Sequence, residues 1–281
     1  MQWLKVDGGA DAMVAAVNYD PGVCLSNGAS LLAKEGALLF RNPTLLGGQA
    51  SKARLSCASC HVNGGDNPHF HFPGASGASG TADVSNSFFS AAGGNGIFDP
   101  VAIPDLSQPG KVSRSEPGEM EAFLKTLIVT EFAGAEPDSR TLRALAEYIR
   151  ALKSCNDLTS AESRMQHGLT ADLMLVEMAA AQAELRIQTG DSEKAQLMVA
   201  GARDILGLVH ERFAGDDLAE MRASIEQASI TLKAAAQEAA EGRRSVAFYL
   251  WRQRFADLRR RLEQREGRSL YDRERLRAAL D

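Results

Sequence analysis

Two thiols and an imidazole stand together at Cys57-Ala58-Ser59-Cys60-His61. C-x-x-C-H is the attachment signature of haem c. A short helical turn presents both thiols to one edge of a porphyrin, where each adds across a vinyl group as a thioether. The adjacent His61 then reaches the iron as proximal ligand through an imidazole nitrogen. Two other chemistries use part of this set. A C-x-x-C redox dithiol has no need of the histidine. A Cys/Cys/His zinc site needs a fourth ligand, usually from a second C-x-x-C or an H-x-x-x-H, and none follows. The pattern therefore predicts one covalent haem c, anchored by Cys57 and Cys60 and ligated by His61.

The sixth iron ligand is less specified. In His69-Phe70-His71-Phe72, strand alternation would put both histidines on one side. His71 is the first choice, His69 the second, and Met120 the third, although Met120 on an amphipathic helix suits a core. An open, five-coordinate iron that binds peroxide, NO or CO is the alternative. A carbonyl of Pro68 or Pro73 is expected to accept from His61 Nδ1, and Arg54 is a candidate partner for a haem propionate. Asn95–Pro100 offers oxygens but lacks the spacing of a calcium loop and reads as a turn. His167, His210, Met165, Met174, Met178, Met198 and Met221 read as surface or core positions rather than as a second haem site. No nucleophile triad, phosphate loop or paired-histidine metal motif is present.

Covalent haem implies an oxidising, extracytoplasmic compartment, and there two spare thiols pair. Cys24 and Cys155 are thus expected to form a disulfide bracketing the haem region. Met1–Asn18 lacks the basic and apolar stretches of a secretory signal, so the chain reads as a mature or truncated periplasmic form. No apolar run approaches the roughly 20 residues of a membrane span. The net charge of −5 argues against nucleic acid as a partner. Residues 243–281, however, carry 12 Lys/Arg against 6 Asp/Glu. This basic end reads as a solvated helix face, with docking of an acidic protein as the alternative.

The elements that position these groups follow from periodicity. Residues 1–27 read as a mixed lead-in. Ala29–Phe40 has helical spacing and is stopped by Asn42-Pro43. Val62–Gly118 is rich in Gly, Ser, Asn and Pro and reads as a long loop wrapped around a cofactor. Glu119–Phe132 and Ser139–Ser154 return to helix, the second capped by Asp138 or Ser139. This layout predicts a cytochrome c-like haem domain over 28–156. From 157 to 281 the composition turns to Ala, Glu, Gln, Leu and Arg. Helices are expected over 160–188, closed by Gly190; 192–213, with Asp191 as N-cap and Gly215 as C′; 217–240, with Asp216 as N-cap and Gly242 after it; and 244–266, closed by Gly267. A short fifth helix is expected within 272–280. Short links favour antiparallel neighbours. The fold class is thus all-α: a c-type cytochrome domain followed by an antiparallel helical bundle, with a helical-hairpin array as the alternative for the second half.

Gly-Ala-Leu-Leu-Phe-Arg-Asn-Pro-Thr-Leu-Leu over 36–46 and Leu-Ser-Cys-Ala-Ser-Cys-His over 55–61 resemble the haem-attachment stretch of bacterial cytochrome c peroxidases and their MauG-like relatives. Ile103-Pro104-Asp105-Leu106, the helix Met120–Val129 and Tyr148-Ile149-Arg150-Ala151-Leu152 resemble later haem segments of that family. The resemblance covers roughly residues 30–155. It implies a haem domain serving electron transfer or peroxide reduction. Members of that family carry two haem motifs, whereas this chain has one, so a two-haem relay within the subunit is not available. Their distal methionine stretch corresponds here to Leu127–Gly134, which has neither Met nor His. The function expected is therefore single-electron transfer by an extracytoplasmic monohaem cytochrome with a redox protein as partner, the helical bundle serving as scaffold or docking module. The alternatives are a one-haem peroxidase-like enzyme and a haem-based sensor.

Overall fold

The structure is a computed structural model that describes residues 3–26, 28–110, 116, 118–158, 168–241 and 246–281. It divides into two compact units, Met1–Met165 and Gln166–Asp281. Among the described residues it is mostly helical, with eleven α-helices and four short strands. A mostly α-helical fold, the coarser part of the expectation, is what the structure shows.

In the first unit, α1 (Gly9–Val17) and β1 (Val23–Leu25) occupy what reads in sequence as a lead-in. Trp3–Lys5 lies antiparallel to His69–His71: Lys5 N–H donates to the His69 carbonyl at 2.9 Å and His71 N–H to the Trp3 carbonyl at 3.0 Å. Helix α2 (Leu31–Phe40) starts at Ser30, whose hydroxyl accepts from Ala33 N–H, and ends before Pro43. Helices α3 (Gly48–Lys52) and α4 (Cys57–Cys60) follow. The described part of the long loop holds a 3-10 turn, Val62–Gly64, and the paired β2 (Thr81–Ala82) and β3 (Val101–Ala102). Helix α5 (Glu119–Thr126) runs into a π-helical stretch, Leu127–Glu131. Helix α6 (Ser139–Ala151) is capped by Asp138, which accepts from Thr141 N–H at 2.6 Å.

Helices α2 and α6 form the core of this unit. Leu142, Leu145, Tyr148 and Ile149 are buried as one stripe of α6. At Gly36 the two backbones come so close that a Cβ would lie 1.9 Å from the Ala144 carbonyl oxygen. Beside that contact, the buried Glu35 accepts from Arg140 at 3.0 Å.

The expected extension of α6 to Ser154 is corrected. Leu152–Ser154 is strand β4, antiparallel to β1 with Cys24 opposite Lys153. Cys24 and Cys155 are disulfide-bonded, as expected, with Cα atoms 5.0 Å apart. Cys155 N–H donates to the Gly22 carbonyl. The backbone donors of this segment are satisfied across the ladder rather than four residues back, which is why the helix stops.

The second unit contains α7 (Leu169–Gln188), α8 (Ser192–Arg212), α9 (Ala219–Ala240), α10 (Val246–Glu263) and α11 (Arg273–Ala278). The start expected for the first of these, 160, lies outside the described residues, as do Met165, His167, Gly242, Arg243 and Arg244. Helix α7 packs on α8, α9 and α10, and α9 packs on both α8 and α10. Arg252 pairs with Glu184 and Arg259 with Glu177, so α10 runs antiparallel to α7. Arg261 bonds Glu220 while Trp251 Nε1 donates to the Ala228 carbonyl, so α10 is antiparallel to α9 too. Leu173, Val176, Leu206, Ile225, Leu232 and Phe255 are fully or almost fully buried between these helices. Asp191 caps α8 and Gly190 takes φ 80, as expected. Asp216 does not cap α9. It opens a 3-10 turn, Asp216–Leu218, after Gly215 at φ −59, because the chain enters α9 from that turn without a left-handed residue. Likewise α10 ends at Glu263 and Gly267 lies in a separate 3-10 turn.

Candidate functional site

Four residues, Cys57–Cys60, make the whole of α4, too few to hold a helix by propagation. A capping box holds it instead: the Ser56 side chain accepts from Ser59 N–H, and Ser59 Oγ accepts from Ser56 N–H at 3.0 Å. Asn67 Nδ2 ties the loop to this turn by donating to the Ser59 carbonyl at 2.9 Å. Cys57 and Cys60 are not bonded to each other. Burial pushes both thiols up to about 12, so both are neutral thiols at ordinary pH.

His61 N–H closes the turn onto the Cys57 carbonyl at 2.9 Å. Its Nδ1 lies 3.0 Å from the Pro104 carbonyl oxygen. A carbonyl only accepts, so Nδ1 carries the proton and Nε2 keeps its lone pair. The expected acceptors, Pro68 and Pro73, are thereby corrected to Pro104, 43 residues from the imidazole. Pro104 is held by its neighbours: Ile103 N–H donates to the Gly80 carbonyl at 3.0 Å and Leu106 N–H to the Gly64 carbonyl at 2.9 Å. Gly64 is required there twice over. Its φ is 86, and a Cβ would meet Leu152 Cδ1 at 2.3 Å. Burial lowers the basicity of His61, while the Pro104 and Gly65 carbonyls and the Asp105 and Asp66 carboxylates raise it. The Phe40 ring lies 6.3 Å from that of His61, and Tyr148 lies 5.0 Å beyond Phe40.

The His-Phe-His-Phe segment alternates as expected. Phe70 and Phe72 are buried, and His69 and His71 are partly exposed on the other side. The His69 ring stands edge-on to Tyr19 at 5.6 Å, and Tyr19 donates to Asp66 Oδ1 at 2.7 Å. His71 Nδ1 is buried and has no hydrogen-bond partner. Met120 is buried in α5, in the core position its spacing suggests. Arg54 takes a left-handed backbone, φ 56, in the turn that leads to α4. Asn95 accepts from Ile97 N–H at 2.8 Å, the turn expected there. Met198 and Met221 are buried on α8 and α9, and Met174 is exposed on α7.

The stretch Leu127–Gly134, which holds neither Met nor His, opens as the π-helical turn Leu127–Glu131. Glu131, which sequence reasoning passed over, ends that turn. Its Oε2 is buried without a partner, and burial raises its carboxyl above the usual range, with Asp83 adding to the rise and a Ser85 hydrogen bond opposing it. Tyr19 and Asp66 were missed too. Their 47-residue separation leaves no local signal. Among the described residues no group of three or more His, Cys, Asp or Glu could hold a metal ion. Comparison of the chain with protein-family models, with curated proteins and with solved structures found no match.

Proposed function

We propose that this protein is an extracytoplasmic monohaem c-type cytochrome that passes single electrons to or from a redox protein. The observation that carries the reading is the His61 Nδ1 to Pro104 hydrogen bond at 3.0 Å, beside two unpaired thiols on one turn. That bond fixes the tautomer and leaves Nε2 as a ligand atom, the arrangement a metal-bound histidine needs. The donor set fits a porphyrin iron, which asks for one axial imidazole and two thiols. A bare ion would ask the chain for three or four ligands.

Bound haem would supply an iron that alternates between ferric and ferrous states. The residues have separate tasks. Cys57 and Cys60 would hold the group covalently as thioethers, each thiol adding its sulfur and its proton across one vinyl double bond. His61 would be the iron ligand through Nε2, with Pro104 holding its ring through Nδ1. Phe40 and the packed α2–α6 core limit water on that side. The Cys24–Cys155 bridge fits an oxidising compartment such as the periplasm. No described helix is long and apolar enough to cross a membrane.

A second reading, a one-haem peroxidase-like enzyme or ligand sensor, is favoured by the π-helical turn at Leu127–Glu131, which offers no Met or His. Protein matured with a haem-attachment system, followed by intact mass and optical spectra with and without CO, tests both. Covalent mass gain with a low-spin spectrum insensitive to CO supports the carrier, with His71 or His69 as sixth ligand. A high-spin ferric band with fast CO binding supports the second reading. No mass gain and no Soret band sinks both.

A further inference from the structure

The bundle of the second unit leaves a groove of about 180 Å³ open between α9 and α10. Thr231, Ala234 and Glu238 of α9 line one side, and Ala247, Leu250 and Arg254 of α10 the other. Its floor is firm, because Trp251 is buried there, with Nε1 bonded to the Ala228 carbonyl and the ring stacked on Phe255. Its rim is apolar and bare. Val246 is 62% exposed, Tyr249 53% and Leu250 45%, and Ile230, one turn before Ala234, is 51% exposed. Positions 246, 249, 250 and 253 share one helical face. Gln253 Nε2 donates to the Tyr249 hydroxyl at 2.6 Å, which holds the ring on that face. Large apolar side chains grouped beside an unfilled groove mark an interaction surface.

The groove has two different ends. Because α9 and α10 are antiparallel, Glu238 shares one end with Ala247, and Arg254 shares the other with Thr231. On either helix the ends are two turns apart, about 10 Å. Glu238 and Arg254 are both exposed, and among the described residues neither side chain has an ion-pair or hydrogen-bond partner. Arg252, Arg259, Arg260 and Arg261 of the same helix, by contrast, each hold a carboxylate. An occupant of this groove must be apolar in the middle, with an anion for Arg254 and a cation for Glu238. A nucleic acid, or any other surface of one sign, satisfies one end and is repelled at the other.

We propose that the α9–α10 groove is a two-fold interface that joins a second copy of this chain. A two-fold axis through the middle of the groove exchanges its ends. Each Arg254 then faces the other copy's Glu238, and the Tyr249 and Leu250 side chains of both copies cover the apolar centre. Burial of that centre supplies the attraction, and the two charge pairs fix the antiparallel register. Four exposed apolar side chains are few beside the roughly 20–30 residues a side of a standard interface, so the dimer is of micromolar strength. The proposal is independent of the haem reading.

Sedimentation velocity of the full chain, with or without haem, tests it. The wild type should pass from monomer to dimer between roughly 1 and 100 µM. Leu250→Glu should stay monomeric over that range. Arg254→Glu and Glu238→Arg should each weaken dimerisation about tenfold or more, since each sets two like-charged pairs across the interface. The double variant Arg254→Glu/Glu238→Arg exchanges the two ends and should recover the wild-type dimer. That recovery is the readout a contact of apolar side chains alone would not give.

Far-UV circular dichroism of each variant checks that the bundle is folded. Should Leu250→Glu unfold it, Tyr249→Ser on the exposed rim carries the same expectation. A wild type that stays monomeric to about 0.1 mM overturns the proposal, and the groove is then left to a ligand or another protein. A dimer that the folded rim variant leaves intact overturns it as well, because the copies then join elsewhere. So does a double variant that dimerises no better than the single ones, since the ends then do not face each other.

Discussion

His61 has a hydrogen-bond acceptor for one ring nitrogen, and that contact decides what the other can do. The spacing Cys57-x-x-Cys60-His61 is legible because all three residues lie on one turn and its edge. The Pro104 carbonyl is not legible. It comes from 43 residues away, and every residue has a backbone carbonyl that could offer the same oxygen. The nearby prolines 68 and 73 attract attention in sequence only because they are close. The chemistry assigned to the thiols can be checked at this scale. In mature protein, unfolded without reductant, labelling should find no free thiol if the haem reading holds: two would be thioethers, and two are in the Cys24–Cys155 bridge. The Cys57→Ala/Cys60→Ala variant should lose haem in denaturing electrophoresis, whereas the wild type retains it. A wild-type chain that gives two free thiols and no stained haem refutes the assignment.

Elements that repeat a long apolar period were legible, and those set by partners were not. Helices α8 and α9 appear within a few residues of their expected bounds because their stripes are long. Leu152–Ser154 continues the helical composition of α6 and becomes strand only because β1 lies beside it. The α2–α6 contact also depends on one residue that has no side chain. Gly36→Ala would drive a Cβ into the Ala144 backbone, and rigid backbone yields little. We expect a loss of about 1–3 kcal/mol in denaturant unfolding of the first unit, and an unchanged midpoint would show that the helices can separate freely. Helix α5 is joined to α6 by a fork, Arg150 to both Glu121 oxygens at 3.0 and 3.1 Å. The guanidinium holds the Glu121 carboxyl below the usual carboxylate range. Its stabilisation is therefore complete above the unfolded carboxylate pKa and is lost as pH falls through the lower folded value. Glu121→Gln should cost about 1 kcal/mol at pH 7. The difference from wild type should vanish in acid, as read from thermal midpoints across pH. A gap that stays constant down to the acid transition would show that the contact is packing and not charge.

At the scale of the whole chain, two features of closure stand apart from periodicity. The Cys24–Cys155 bridge spans a sequence separation of 131 and closes nearly all of the first unit into one loop. Chain-entropy reasoning assigns such a loop up to about 5 kcal/mol, so Cys24→Ser/Cys155→Ser should lower the denaturation midpoint of that unit even with haem attached. Its pairing was legible from redox logic, not from geometry. The second unit is closed by Tyr271, which leads into α11 and was not foreseen at all. Its hydroxyl donates to Asp172 at the start of α7 at 2.6 Å, and Arg212 of α8 lies over its ring at 5.5 Å. Burial, with the Asp172 charge adding to it, raises the phenol well above its ordinary value of 10.0. The folded state thus resists losing that proton, whereas the unfolded state loses it readily. The stabilisation is complete below pH 10 and is lost as pH climbs from there toward the folded value. Trp251 offers a local readout, being buried and stacked on Phe255 at 4.7 Å, and Trp3 is the only other tryptophan in the sequence. In a Trp3→Phe background, Trp251 emission should report a melting midpoint that is flat to about pH 10 and then falls. Adding Tyr271→Phe should lower the midpoint at neutral pH, by about 1–2 kcal/mol for the lost bond to a charged acceptor, and should flatten the decline above pH 10. An equally steep alkaline decline in that variant would mean that another group closes the bundle.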